Sequence, residues 1–455
     1  MARVATERVL PTLNVDGTRR WLTPRLSRGR FQRRRLVVAW GLIVLFALLP
    51  HLRVGGRPAI LLNVVHRRFT VLGATFYPTD TVLLMLLLVG IFLGIFLLTA
   101  IVGRVWCGWV CPQTVYMEFL YRPVERVFER MGRAAGRVRA AALRGLKLAV
   151  YVGVSMFLAH TFLAYFVGVE ALAQWVRRSP VEHPISFLVM AGTTALMFLD
   201  FGYFREQICM VACPYGRLQS VLLDRRSLIV GYDARRGEPR GKLGQAAGDC
   251  IDCGACVITC PTGIDIREGL QMECIHCTQC IDACDAIMDR VGKPRGLIRY
   301  SSRDELAGAA RRILRPRVVV YPLLLLAVWG GLAWALAHRP SAEVTVLRGL
   351  GSPFAVLPSG EVSNQIRVKI ENHAAEERRF LVELVDGEGL RLVAPENPIS
   401  VGTGQQATAT VFVLADAKSF ERGDRAVRFR ITAGPGFEIT PEYRLLGPSK
   451  GGGTR

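Results

Sequence analysis

Eight cysteines in one short stretch constrain the fold of this chain more than any other feature. They form two successive runs of Cys-x2-Cys-x2-Cys-x3-Cys: Cys250, Cys253, Cys256 and Cys260, then Cys274, Cys277, Cys280 and Cys284. In such a doubled run, three closely spaced thiolates surround one iron–sulfur cube and the fourth ligates the other cube. The spacing therefore predicts two [4Fe–4S] clusters, one on Cys250, Cys253, Cys256 and Cys284, the other on Cys274, Cys277, Cys280 and Cys260.

Structural zinc is the alternative for these cysteines, because four thiolates at Cys-x2-Cys spacing also suit Zn²⁺. Zinc sites rarely need three cysteines at two-residue gaps plus a fourth at three, so iron–sulfur binding is favoured. Pro261 follows Cys260 as the motif requires, whereas Asp285 takes the corresponding place after Cys284. The ligands themselves are intact.

Composition places the chain in a membrane. It has 455 residues, 51% of them hydrophobic, and a net charge of +21. Five apolar stretches approach or reach the roughly 20 helical residues that cross a bilayer of about 30 Å. They are Leu36–Leu52, Val82–Val102, Leu148–Val169, Ile185–Phe204 and Val318–Ala337. The basic residues flank these spans and form no stripe with interleaved aromatics, which argues against nucleic-acid binding.

The Lys/Arg bias predicts the orientation of the spans. The first 35 residues carry ten arginines, and the loop Gly103–Lys147 carries eight arginines and one lysine. The loop Arg53–Thr81 has four arginines and Glu170–Pro184 has two. Basic loops stay in the cytoplasm. A multi-pass protein of the bacterial inner membrane is thus predicted, with its N-terminus and clusters cytoplasmic and its C-terminal domain periplasmic.

The predicted fold class is a polytopic α-helical membrane protein with a ferredoxin-like α+β insertion and a C-terminal immunoglobulin-like β-sandwich. Period-two runs such as Gln365–Ile370 and Val427–Thr432 indicate the sandwich strands. The predicted segments are a basic N-terminal segment 1–35, a four-span membrane domain 36–223, the two-cluster domain 224–317, a fifth span 318–337, the sandwich 338–448 and a disordered tail 449–455.

A second cysteine pattern follows spans two and four. Cys107 and Cys111 precede Pro112, and Cys209 and Cys213 precede Pro214, so both pairs read Cys-x3-Cys-Pro. A duplicated unit packed about a pseudo-twofold axis would bring four thiols to one membrane-proximal site. Cys-x3-Cys spacing places both sulfurs on one helical face, and a helix starting at the proline would lower the thiol pKa.

Soft thiolates favour Cu(I), and a dithiol/disulfide couple or buried apolar cysteines are the alternatives. Two further residues lie within spans, where ionisable groups are functional candidates. His160 in span three is a candidate ligand for the metal or a contact for a quinone, and Asp200 lies near the end of span four. His276, between Cys274 and Cys277, is predicted to tune a cluster by hydrogen bonding and is not predicted as a ligand.

Taken in order, these parts resemble the CcoG/RdxA/FixG family, accessory proteins of cbb3-type cytochrome c oxidase assembly, over about residues 20–448. The resemblance implies a membrane-bound cupric reductase that delivers Cu(I), with Cys107, Cys111, Cys209 and Cys213 as catalytic and copper-binding residues. It implies oxidase assembly proteins and copper chaperones as partners. The basic cytoplasmic face favours an acidic electron donor of flavodoxin or ferredoxin type, and a homodimer is compatible with the sequence.

Two other functions fit parts of the same pattern. The first is a quinol-dependent electron-transfer subunit similar to NapH, which also combines four spans, Cys-x3-Cys-Pro and paired clusters; the fifth span and the sandwich favour the assembly factor. The second is a copper chaperone or assembly scaffold without enzymatic activity, which would bind Cu(I) without turning over Cu(II).

Overall fold

Five helices of the computed structural model are long and apolar enough to cross a bilayer, which confirms the predicted number of spans among the described residues. The structure describes residues 11–448 except 15, 17, 65–67, 78–79, 134–135, 243, 245–247, 311–313, 375, 386–387, 421–422 and 435. The tail 449–455, predicted to be disordered, lies outside these residues. The chain divides into two compact units, Met1–Ala333 and Trp334–Arg455.

The helices of the first unit alternate between long apolar spans and short connecting segments. In chain order they are α1 Arg30–Leu48, α2 Thr81–Val102, α3 Val105–Trp109, α4 Pro112–Tyr116, α5 Arg122–Arg133, α6 Arg137–Val167, α7 Val169–Arg177, α8 Pro184–Leu199, α9 Pro214–Leu222, α10 Ala234–Gly237, α11 Ala255–Ile258, α12 Gln279–Arg290, α13 Arg303–Leu306 and α14 Pro316–Ala337. Three π-helical turns lie at Met117–Tyr121, Asp200–Phe204 and Ile208–Ala212.

The first span begins earlier than predicted, and this changes the boundary of the basic N-terminal segment. Helix α1 starts at Arg30 and not near Leu36. Some of the arginines that were assigned to the 1–35 segment are therefore part of the helix. The carboxylate of Asp282 in α12 accepts hydrogen bonds from the backbone N–H groups of Phe31 (3.2 Å) and Gln32 (2.7 Å). This contact between distant parts of the chain satisfies donors that every helix start leaves unpaired, and no local pattern could indicate it.

Gly29 is required where α1 meets α12, because a Cβ atom there would lie 2.2 Å from Cγ of Asp282. The start of the first span is therefore fastened to the cysteine-bearing helix α12. This contact fixes the cysteine-rich segment against the membrane helices within one compact unit.

We expect Asp282→Ala to lower the apparent midpoint of thermal unfolding of the detergent-solubilised chain, because loss of a helix cap costs about 1 kcal/mol. Asp282→Asn keeps an oxygen acceptor and should recover most of the loss. Asp289→Ala, which removes only an exposed ion pair of α12 with Arg295, is the control. Equal midpoints for Asp282→Ala and Asp289→Ala, at full iron content, would show that the cap contributes nothing.

The connection between spans one and two contains short strands that the sequence did not reveal. They are β1 Arg53–Val54, β2 Arg57–Pro58, β3 Ile60–Asn63, β4 Arg68–Val71 and β5 Ala74–Phe76. Strands β1 and β2 pair with each other, and β3, β4 and β5 form an antiparallel sheet. Runs of two to four residues are too short to carry a period-two pattern, so this sheet escaped prediction.

The cysteine-rich segment is held by a small α+β frame. Strands β6 Ile229–Tyr232 and β7 Ile298–Ser301 pair antiparallel, with Ile229 opposite Ser301. Their buried side chains pack with Ile281 and Met288 of α12 and with several of the cysteines. The frame thus surrounds the cysteines with apolar side chains, as a site that excludes water requires.

The second unit is a sandwich of two five-stranded sheets, which confirms the predicted immunoglobulin-like fold. Its strands are β8 Ala342–Arg348, β9 Ala355–Val356, β10 Glu361–Asn372, β11 Arg378–Leu384, β12 Leu390–Val393, β13 Ile399–Val401, β14 Gln406–Asp416, β15 Asp424–Thr432, β16 Glu438–Ile439 and β17 Glu442–Leu446. One sheet has the order β12-β14-β10-β8 with β9 on β10, and the other has β13-β11-β15-β16 with β17 on β15. Alternate residues of the long strands fill the core, among them Ile366, Val368 and Phe429, which are 0% exposed.

Candidate metal centres

The eight cysteines of the doubled run surround two adjacent cavities. One cavity is lined by Cys250, Cys253, Cys256 and Cys284. The other is lined by Cys260, Cys274, Cys277 and Cys280, with Cys256 in the wall between them. We call these the first and the second cysteine set. The fourth cysteine of each run thus lies beside the other run's cavity, which is the crossed grouping that the spacing predicts.

The backbone takes the same unusual shape in both runs. Asp252 and Gly254 flank Cys253 with φ of 51° and 65°, and His276 and Thr278 flank Cys277 with φ of 54° and 63°. Left-handed residues are a component of the concave backbone turns that are typical of anion and iron–sulfur sites. The repeated geometry fits two equivalent anionic clusters better than it fits two zinc ions.

His276 supplies an unpaired donor at the second cysteine set. Its side chain is 0% exposed and lines the cavity. Nδ1 accepts the backbone N–H of Arg104 at 3.1 Å. Burial and then the Arg104 charge lower the pKa of His276 to about 3, so the ring is neutral and Nε2 carries its proton. Nε2–H has no acceptor among the described residues, which fits a sulfur acceptor on a bound cluster.

Arg35 supplies further unpaired donors near the same set. Only 1% of Arg35 is exposed, and its Nε donates to the carbonyl oxygen of Gly108 at 3.0 Å. Within the described part of the chain, neither Nη atom has a hydrogen-bond partner. A buried guanidinium without a carboxylate is costly unless an anion lies nearby, and the second cysteine set with its cluster is such an anion.

The first cysteine set has different surroundings. Cys253 is exposed, and Arg267 at the cavity is paired with Asp265 (2.6 Å) and Asp252 (2.5 Å). Asp285, which follows the ligand Cys284, is 7% exposed. The first set therefore lies near the surface among compensated charges, whereas the second is enclosed beside uncompensated ones.

Burial favours the protonated form of several cluster thiols until metal binds. It raises the pKa of Cys256 to about 11 and those of Cys274 and Cys284 to about 12. Thiolates are the ligands, so cluster insertion must displace these protons. This is the expected state of a buried metal site before loading.

The two Cys-x3-Cys-Pro motifs share a local fold that differs in part from the prediction. Helices α4 and α9 begin at Pro112 and Pro214, as predicted. The cysteines of each pair do not lie on one α-helical face, however. The N–H of Cys111 bonds to Trp106 O at 2.9 Å and that of Cys213 to Ile208 O at 2.7 Å. Each bond reaches five residues back and widens the turn, because the chain must leave one helix before the proline starts the next.

The duplication extends to the ends of the preceding spans. Gly103 and Arg205 have φ of 62° and 54°, and each lies four positions before the first cysteine of its pair. A Cβ atom on Gly103 would lie 2.1 Å from Leu228 O. Both units thus end the preceding span at a residue with positive φ, and the close approach of Leu228 O at Gly103 requires glycine there.

All four thiols of this second pattern lie within electrostatic reach of one another. Burial raises the pKa of Cys209 to about 12, and the charges of Cys111, Cys107 and Cys213 add to the effect. Burial also raises the pKa values of Cys107 and Cys111. The expected lowering of the thiol pKa is therefore wrong for these three groups, because burial has the largest effect on each of them.

The sulfur spacing limits how one ion could bind the four thiols. Among the described residues, no three of these sulfurs lie within 4.8 Å of one another. Four sulfurs around one ion at about 2.3 Å lie closer together than that. Two thiols suffice for a two-coordinate soft ion, whereas four-coordinate binding needs the two motifs to approach.

Amide side chains hold the four-thiol site, and sequence reasoning missed them. Gln219 is 0% exposed. It accepts a hydrogen bond from Sγ of Cys107 at 3.0 Å and donates to Thr99 Oγ1 at 3.1 Å and Tyr215 OH at 3.0 Å. Gln113 donates to Asp200 Oδ1 at 2.7 Å. The sequence does show one of these glutamines in each of the helices that begin at Pro112 and Pro214, and this repetition could have indicated their shared role.

The first motif packs directly on the second cysteine set. Cys107 forms a small buried cluster with Ile275 and Cys277. A Cβ atom on Gly108 would lie 2.4 Å from Ile275 O and 2.9 Å from Cys277 Cα, so only glycine permits this approach. The four-thiol site and the second cluster cavity are thus neighbours.

His160 stands apart from this arrangement. Its Nδ1 bonds to Met156 O, one turn back in α6, at 2.7 Å. No contact described for the chain joins it to the four thiols. Metal ligation by His160 stays a prediction.

Three protein families match consecutive parts of the chain. Residues 84–130 match a 4Fe-4S binding domain, 204–303 match a 4Fe-4S dicluster domain, and 332–448 match the immunoglobulin-like fold at the C-terminus of FixG. The dicluster match covers all eight cysteines of the doubled run, so the chain carries two [4Fe–4S] clusters. The cysteines within 84–130 are Cys107 and Cys111.

Curated relatives match most of the chain. Protein RdxA of Cereibacter sphaeroides is 37% identical over 390 residues, which are 81% of this chain and 83% of the relative. Nitrogen fixation protein FixG of Rhizobium meliloti is 33% identical over 411 residues, 79% of this chain and 78% of the relative. Protein RdxB of Cereibacter sphaeroides is 33% identical over 436 residues, 89% of this chain and 91% of the relative.

Proposed function

Because the chain belongs to the FixG/RdxA family of membrane iron–sulfur electron-transfer proteins, we propose that it reduces Cu(II) to Cu(I) at the four-thiol site. The product Cu(I) is delivered to a cbb3-type cytochrome c oxidase under assembly. When bound, the two clusters supply one-electron equivalents, one for each Cu(II) reduced. The copper ion is substrate and not a resident cofactor.

One observation carries this proposal: Cys107 and Gly108 pack beside Ile275 and beside Cys277 of the second cysteine set. A residue of the proposed copper-binding motif thus lies in the same buried cluster as a ligand of the second cysteine set. Gly108 permits the approach because it has no Cβ atom. Short distance is the main requirement for electron transfer between two centres, and this contact supplies it.

The thiols would select and retain the reduced ion. Thiolate sulfur binds Cu(I) more readily than the harder Cu(II). The thiols therefore stabilise Cu(I), which is also the ion that the reduction produces. Cys107, Cys111 and Cys209 hold their protons when buried and free, and copper binding displaces them. Gln219 fixes the Cys107 thiol through a hydrogen bond of 3.0 Å.

The proposed orientation puts the clusters and the four-thiol site at the cytoplasmic face and the sandwich in the periplasm. It rests on the arginine-rich segments before the first span and between spans two and three. A small acidic redox protein would then reach the exposed Cys253 from the cytoplasm. Oxidase assembly proteins and copper chaperones are the proposed partners for Cu(I) release.

The test uses the whole protein in anaerobic vesicles, with a chemical reductant for the clusters and a Cu(I)-specific chelator to detect product. We expect wild type to form Cu(I) and Cys107→Ala/Cys213→Ala to form less than about a tenth as much, because two of four ligands are gone. Iron content and visible absorbance must show both clusters in each sample. Equal Cu(I) formation would contradict reduction at the thiols.

The same preparations separate the competing functions. A NapH-like subunit would have its clusters reduced by quinol in vesicles and would be indifferent to copper. A copper chaperone would bind Cu(I) with one stoichiometry whether or not its clusters are reduced, and would show no turnover with Cu(II).

A third iron–sulfur cluster is a second candidate for the four thiols. The 4Fe-4S family match at residues 84–130 and the open sulfur spacing favour it. Iron analysis discriminates, since three clusters hold about 12 irons per chain and two hold about 8. Loss of about four irons in Cys107→Ala/Cys213→Ala would replace copper binding by a third cluster.

A further inference from the structure

We infer that Arg35 is a redox-positioning residue, whose buried charge draws electrons toward the second cysteine set and so toward the four-thiol site. The inference rests on the two clusters of the proposed function but not on copper being the final acceptor. It assigns a direction: electrons arrive beside the exposed Cys253 and leave beside Cys107.

The position of Arg35 is unusual for a charged residue. It lies in the first turns of α1, the first apolar span, and is 1% exposed. Its Nε donates to Gly108 O at 3.0 Å, and its guanidinium lies 5.5 Å from the ring centroid of Phe119. Among the described residues, no carboxylate forms an ion pair with it and both Nη atoms are unpartnered. Within the part of the chain that the structure describes, Arg35 is therefore a buried positive charge without an ion-paired carboxylate.

The second cysteine set supplies the missing anion. The Gly108 carbonyl that accepts from Arg35 belongs to the residue packed against Cys277. A four-thiolate cluster is anionic in both oxidation states, and reduction adds one more negative charge. A fixed cation therefore stabilises the reduced state more than the oxidised state.

Two residues near Arg35, His276 and Arg104, also favour the reduced state of the second cluster. His276 presents its Nε2–H to the second cavity without another acceptor in the described chain. Hydrogen bonds to cluster sulfurs are among the features that set cluster potentials. Arg104 is 3% exposed, holds His276 by its backbone N–H, and donates from its side chain to Met272 O. Hydrogen-bond donors and positively charged side chains thus lie next to the second cysteine set.

The first set lacks this bias. The charge of Arg267 is offset by Asp265 and Asp252, and Asp285 adds a buried negative charge next to Cys284. The ion-pair partner of Asp285 is Arg30, whose guanidinium lies 3.6 Å away and is mostly exposed to water. Water near Cys253 also stabilises a reduced cluster, but an uncompensated buried charge acts at an effective dielectric constant of about 20 and not 80. The second set therefore has the more positive reduction potential.

The charge distribution matches the exposure of the two sets. The first set reaches the surface at Cys253, where an external donor can approach. The second set lies beside the four-thiol site where Cys107 and Gly108 pack with Ile275 and Cys277. A potential that rises from the first set to the second keeps the transferred electron at the membrane side, ready for the acceptor.

The test is a redox titration of the whole protein followed by electron paramagnetic resonance, with no copper present. In Arg35→Gln we expect one of the two couples to move to more negative potential by at least 59 mV, a tenfold shift in a one-electron equilibrium. The other couple should stay in place. Arg35→Lys keeps the charge and should retain most of the wild-type value, and exposed Arg34→Gln is the control that should change neither couple.

A reciprocal variant identifies which couple belongs to which set. Asp285→Asn removes a negative charge beside Cys284 and should raise the couple that Arg35→Gln leaves unmoved. If both Arg35 variants lose iron, Asp285→Asn still tests which of the two sets has the more positive reduction potential. Unmoved couples in Arg35→Gln at full iron content, or an Asp285→Asn shift in the more positive couple, would overturn the inference. Predicted shifts in a protein that leaves Cu(II) unreduced would uphold it while refuting the proposed function.

Discussion

Gly108→Ala is expected to slow Cu(II) reduction severalfold while both clusters stay bound, because electron transfer becomes slower as the donor and acceptor move apart. The new Cβ atom would lie 2.4 Å from Ile275 O and 2.9 Å from Cys277 Cα. These are backbone atoms that cannot rotate aside, so α3 must move away from the second cysteine set. The four thiols would then be farther from the cluster that reduces their ion.

Gly145→Ala is the matched control, because it adds the same methyl group to helix α6 where nothing lies within 4 Å. The rate is measured with pre-reduced clusters, which removes donor binding from the comparison. Iron content shows whether the loss is one of transfer or of assembly. An unchanged rate in Gly108→Ala would mean that this packing contact does not carry the electron.

Cys260→Ala is expected to eliminate the same paramagnetic signal as Cys277→Ala, and a different one from Cys253→Ala. Cys260 is the fourth cysteine of the first run but lines the second cavity with Cys274, Cys277 and Cys280. Removing one of four ligands leaves that cluster incomplete, and the cluster on the first set should survive. Iron content should fall from about eight per chain toward about four.

The crossed grouping makes this outcome informative. If each run held its own cluster, Cys260→Ala and Cys253→Ala would lose the same signal. Cys284→Ala gives the mirror test, because it lines the first cavity although it belongs to the second run. Its signal should coincide with that of Cys253→Ala.

Features set by regular spacing were predictable from the sequence. The fixed gaps of the doubled run gave the grouping of eight cysteines that the cavities display, and the length of each apolar stretch gave five spans. The strands β10 and β15 followed from alternation, since their inward residues such as Ile366 and Phe429 are apolar and fully buried. In each case the pattern lies within one element or one loop.

Features that depend on contacts between distant segments were not predictable. The pairing of Asp282 with the start of α1 joins residues about 250 positions apart, and the approach of Gly108 to Ile275 is of the same kind. The expected lowering of the thiol pKa failed because burial of Cys209 is set by the whole packed unit. In the sequence, Arg35 is one of many arginines that flank membrane spans. Only its burial near Cys277 in the folded chain distinguishes it from the others.

The central claim is that electrons held by this protein reach Cu(II) through the four thiols. Anaerobic stopped-flow mixing of the cluster-reduced protein with Cu(II) tests it most directly, with cluster absorbance and Cu(I) formation recorded together in wild type and in Cys107→Ala/Cys213→Ala. We predict that wild type reoxidises its clusters in step with Cu(I) formation, one electron per copper, and that the variant with intact clusters does not. Equal traces from the two proteins would show that copper takes electrons elsewhere, and would contradict the claim.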